Sequence, residues 1–61
     1  MERTKINNKS SNYANYKYVV YRVVDDENWF WDAYNTLEEC VNVIYMLGKN
    51  ARITESENVE R

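Results

Sequence analysis

Apolar residues in this chain fall into three blocks separated by polar turns, and the blocks differ in period. From Tyr16 to Val24 the run YKYVVYRVV is dense in β-branched and aromatic side chains and predicts a strand. Asp25-Asp26-Glu27-Asn28 supplies polar turn chemistry, and WFWDAY, Trp29 to Tyr34, predicts the returning strand of a hairpin. A turn centred on Asp26-Glu27 would pair Val24 with Trp29, Arg22 with Trp31 and Val20 with Ala33. The pattern then becomes helical. Leu37, Cys40, Val41, Ile44 and Leu47 line one stripe, with Val43 and Tyr45 at its borders and Met46 facing away. Thr36-Leu37-Glu38-Glu39 has the form of a capping box, in which the Glu39 carboxylate reaches back to the Thr36 amide. Gly48 stands where a left-handed C-cap is expected, with Lys49 beyond it to complement the dipole. Ala51 to Glu55 predicts a short, charged edge strand with Ala51 and Ile53 inward. The expected fold is therefore α+β, a small ββαβ domain: an antiparallel hairpin, one helix packed on one face, and a short third edge strand. A right-handed crossover sets that third strand parallel to the second and beside the first.

Residues 1–12 are polar and aperiodic, which predicts a flexible basic tail; residues 13–56 form the single domain and 57–61 a frayed end. Strand alternation sorts the hairpin into two faces. One carries Val19, Tyr21, Val23, Phe30, Asp32 and Tyr34, and is assigned to the helix because Tyr34 stands just before the N-cap. The other carries Tyr16, Tyr18, Val20, Arg22, Val24, Trp29, Trp31 and Ala33. Val20, Val24 and Ala33 would also pack well under a helix, so the opposite assignment stays open. Every aromatic side chain except Tyr45 lies between Tyr13 and Tyr34, more ring surface than one small core needs. On the preferred assignment two tryptophans, two tyrosines and Arg22 remain outside. These are residue types enriched in binding hot spots, and Arg22 would stack on Trp31.

A chain of 61 residues holds one domain of marginal stability. A single cysteine and no histidine leave no intramolecular disulfide and no structural zinc site, so association with another chain is the remaining way to add stability. The lone cysteine fits a reducing cytosol, the N-terminus lacks a signal-peptide core, and no apolar run approaches a membrane span; a cytoplasmic location away from membranes is expected. Net charge is −2, with the basic groups Arg3, Lys5, Lys9, Lys17 and Arg22 early and an excess of carboxylates after Val24. Without histidine the commonest general base is missing. Cys40 falls inside the apolar helix stripe, and Asp25, Asp26 and Glu27 form an ordinary solvated turn. No catalytic residue, metal site or cofactor is expected.

The residues point to a binding module whose contacts are Tyr16, Tyr18, Arg22, Trp29 and Trp31, with Asp25, Asp26 and Glu27 steering it towards a basic surface. Another protein is the expected partner, with a homodimer also expected. Single-stranded nucleic acid is the second reading, with sheet aromatics stacking bases and Arg22, Lys17 and the basic tail tracking phosphates. A structural homodimer is the third. The order of elements from 16 to 53 resembles that of small phage and mobile-element proteins, in particular phage inhibitors of uracil-DNA glycosylase. Its components are a polar tail, a strand, the acidic turn Asp25-Asp26, the aromatic strand Trp29-Phe30-Trp31 and the capped helix at Thr36-Leu37. The resemblance implies an accessory or inhibitor protein that binds a larger, nucleic-acid-processing enzyme, by mimicking DNA charge or by capturing a protruding apolar side chain. It carries over the class and not the target.

Overall fold

In the structure, a computed structural model that describes residues 3–60, the three blocks become four elements. Strand β1 spans Tyr18–Val24, β2 Glu27–Tyr34, α1 Leu37–Leu47 and β3 Ala51–Glu55. The sheet is antiparallel with order β2-β1-β3, so β3 runs in the direction of β2 and lies beside β1, the order expected from the sequence. The chain is thus a small α+β domain of ββαβ order.

The hairpin is tighter than its composition suggests. Asp25 and Asp26 both have positive φ, 51° and 65°, which is the type I′ geometry that matches strand twist in two-residue loops. Val24 therefore pairs with Glu27 and Arg22 with Trp29, replacing the expected Val24–Trp29 and Arg22–Trp31 pairs. Further along, Val20 faces Asp32 while Tyr21 faces Phe30, so Trp31 is an extra residue in a β-bulge. The bulge inverts parity for the rest of β2. Tyr34 and Asp32 join the face of Val20, and Ala33 joins that of Val19.

That inversion decides what the helix covers. Val19 and Ala33 are buried with Ile6, Tyr13 and Val59, with Tyr21 and Phe30 packed against them. Val20, pointing the other way, has no exposed surface, and neither does Cys40 of the helix. Helix α1 contacts all three strands and lies on Val20's face. The small side chains Cys40, Val20 and Ala51 are buried on that side. The preferred face assignment is corrected accordingly: Val19, Tyr21 and Phe30 belong to the core opposite the helix, and of the expected set Tyr34 and Asp32 lie on the helix's face. Ala33, expected to be open, is buried.

The second core is closed by segments that composition places outside the domain. Thr4 forms a parallel bridge with Val59, and Asn7 forms one with Trp29. Backbone bonds Asn7 N–H to Asn28 C=O (2.8 Å) and Phe30 N–H to Asn7 C=O (3.0 Å) fasten the N-terminal segment to the outer edge of β2. Ile6, at 3% exposure, and Tyr13, in a 3-10 turn over Tyr13–Asn15, fill the space below. The expected flexible tail is thus an ordered layer over residues 3–12, and the expected frayed end contributes the fully buried Val59; Arg61 lies outside the described residues. The physical reason is that one helix can cover only one face of a sheet, and the other face needs an apolar lid.

The helix starts and stops where its capping residues stand. The Thr36 hydroxyl accepts from the Glu39 amide at 3.3 Å and donates to the Glu39 carboxylate at 2.9 Å, so the carboxylate meets the hydroxyl and not the Thr36 amide. Gly48, at φ 95°, ends the helix with its amide on the Ile44 carbonyl. Its inward stripe is Cys40 with the half-buried Val43, Ile44 and Leu47, whereas Leu37 and Val41 of the expected stripe stand exposed. Among the described residues no helix is long and apolar enough to cross a membrane.

Candidate functional site

The I′ turn and the bulge together shape the hairpin end. Below the turn, Arg22 and Trp29 sit directly across from each other, with Val24 on the same face. At the bulge, Trp31 has no partner on β1. Between them lies a concavity of about 360 Å³ lined by Trp29, Trp31, Val24 and part of Phe30, with Arg22, Asp25 and Glu27 as its polar groups. Helix α1 does not line it, and both indoles remain open, Trp29 at 41% and Trp31 at 47% exposure.

Five of the sequence-predicted contacts meet here: Arg22, Asp25, Glu27, Trp29 and Trp31. Three do not. Asp26 turns to a polar depression with Lys5, Asn7 and Asn28. Tyr18 lies at the far end of β1 opposite Tyr34 and Glu55, with the Lys17 ammonium 5.5 Å from its ring centre. Tyr16 precedes β1, and its carbonyl accepts the Ser56 hydroxyl. Arg22 faces Trp29 across the ladder and not Trp31, because the turn is two residues tighter than expected. Val24 and Phe30 also line it and were not among the expected contacts, although Phe30 packs against the core as expected. No residue in WFWDAY signals a bulge.

The concavity brings together two indoles, two carboxylates at the tip and one guanidinium. Among the described residues no three His, Cys, Asp or Glu side chains cluster as metal ligands would. Cys40 is the free thiol, and it lies beneath the helix, where burial first and the Glu39 carboxylate second push its pKa up. Such a thiol stays protonated at neutral pH and is a poor nucleophile. The Tyr34 phenol is likewise raised, by burial and then by the Asp32 carboxylate, whose oxygen is 3.5 Å from its hydroxyl. Comparison of the chain with protein-family models, with curated proteins and with solved structures returned no match.

Proposed function

We propose that this chain is a non-enzymatic protein-binding module that seats a protruding apolar side chain of a larger protein in the hairpin concavity. Asp25 and Glu27 favour a target whose apolar side chain is flanked by basic residues. One observation carries the reading: neither Trp29 nor Trp31 is among the buried core residues, both stay over 40% exposed, and both line a single concavity. Large aromatic surface kept beside charged rim groups is the composition of interface hot spots. The layout's resemblance to phage inhibitors of uracil-DNA glycosylase supports an accessory or inhibitory role towards a nucleic-acid-processing enzyme, in the cytoplasm.

The nucleic-acid reading has less support. It needs a free basic arm, yet Lys5 sits in a segment bonded along β2, and the Lys9 ammonium lies 6.0 Å from the Tyr13 ring centre. The acidic hairpin tip also stands beside the aromatic wall. The test is capture of partners by the full chain and by its Trp29→Ala and Trp31→Ala variants, with melting temperature followed in parallel. The expected result is loss of the captured protein with folding retained; capture that is indifferent to both substitutions overturns the reading.

A further inference from the structure

The two edges of the sheet are treated differently. On β2 the outward groups of Asn28 and Phe30 are bonded to Asn7, and the Ala33 amide is capped by the Asp32 carboxylate at 2.8 Å. That edge is covered at these three groups. On β3 the ladder bonds Val23 N–H to Asn50 C=O and Ser56 N–H to Lys17 C=O show which residues face β1. By alternation Asn50, Arg52, Thr54 and Ser56 point inward to β1, and Ala51, Ile53 and Glu55 point out. Ala51 is satisfied within the chain, its amide on the Gly48 carbonyl (3.2 Å) and its carbonyl on the Arg52 guanidinium (2.8 Å). Among the described residues no hydrogen bond reaches the amide or the carbonyl of Ile53.

An uncovered strip of helix stands above the same edge. Leu37, Val41 and Tyr45, at i, i+4 and i+8, are 53%, 57% and 90% exposed. With Cys40 turned to the sheet, Leu37 and Val41 lie on one flank of the helix and Glu39 on the other, and the right-handed course such crossovers take sets the Leu37–Val41 flank over β3.

We infer that the β3 edge and the Leu37–Val41–Tyr45 flank form a two-fold interface with a second copy of this chain. Ile53 is the centre of that pairing. Its free amide and carbonyl match the same pair on Ile53 of the second copy, the self-complementary arrangement that an isologous contact requires. Pairing Ile53 with itself also keeps both helices on one face of the joined sheet, so the two apolar flanks meet. An offset of one residue would put the helices on opposite faces and leave both flanks bare. In the Ile53-centred register Arg52 falls opposite Thr54 of the second copy and Ala51 opposite Glu55, so no like charges are paired directly. The resulting sheet has six strands, with a hairpin concavity at each outer end. The inference is independent of what the concavity binds.

Sedimentation of the full chain over micromolar to millimolar concentration tests it, beside Val41→Lys and Ile53→Pro. Proline is tolerated at Ile53 because its amide points away from β1. The mass of the unaltered chain is expected to rise towards twice its monomer value, and each substitution to raise the dissociation constant at least tenfold with the circular dichroism spectrum unchanged. Amide exchange gives a second readout that needs no variant: Ile53 exchange should slow as concentration rises while Arg52 and Thr54 are unaffected. A chain that stays monomeric to millimolar concentration overturns the inference. So does a dimer that survives Val41→Lys but is dispersed by Trp29→Ala.

Discussion

Trp31 occupies a position in β2 with no residue opposite it, and that extra residue is why the hairpin carries a cup. Without the bulge, Tyr34 would leave the helix face and Ala33 would leave the second core. Deleting Trp31 is therefore expected to unfold the chain, whereas Trp31→Ala, which keeps the residue count, should leave it folded; urea unfolding of the two separates them. The turn residue Asp26 adopts φ 65° without a glycine's freedom. Asp26→Gly gives the Asp-Gly sequence preferred in I′ turns and should stabilise the chain by about 0.5–1 kcal/mol. It should leave partner capture unchanged, because Asp26 does not line the concavity. At Cys40 the folded state holds a proton that the unfolded chain releases at the ordinary thiol value of 9.0. Stability should thus be level below that pH and fall as pH rises through the raised folded value. Urea midpoints measured at about pH 8 and pH 10 show this fall, and Cys40→Ala should reduce it.

At the scale of elements, the least expected feature is that residues 3–12 belong to the fold. Ile6→Ala should cost about 2–4 kcal/mol, the usual range for a large-to-small change in a core, and chemical denaturation reads this directly. A flexible tail would give no change. The strands, the helix and its caps were legible because each depends on neighbours in sequence: β-branched runs, a helical period, Thr36 and Gly48. The lid was not, because Ile6 is a single apolar residue among polar ones and its burial depends on a sheet face formed elsewhere. The cup was half legible. Trp29, Trp31, Arg22, Asp25 and Glu27 stand out by composition and position, but the bulge that arranges them follows from the register of the whole hairpin. The same register explains the helix stripe. Cys40, Val20 and Ala51 are buried together on the helix side, so the helix turns Cys40 inward and lifts Leu37 and Val41 out.

For the whole molecule, the proposed binding and the inferred pairing fall on two different edges. The hairpin end offers an aromatic cup with an acidic tip, closed along β2 by the N-terminal segment. The opposite edge keeps the outward amide and carbonyl of Ile53 without a partner among the described residues, beneath an exposed helix flank. A dimer built there would present two cups at once, so a target with two copies of the recognised side chain would be held by avidity beyond the affinity of either cup. The central claim is that Trp29 and Trp31 serve binding and not folding. Its most direct measurement is the Trp29→Ala/Trp31→Ala double variant, assayed for thermal unfolding and for capture of the partner retained by the unaltered chain. The account predicts a melting temperature within a few degrees of the original and capture reduced at least tenfold. A double variant that unfolds, or one that folds and captures the same partner as well as before, would contradict it.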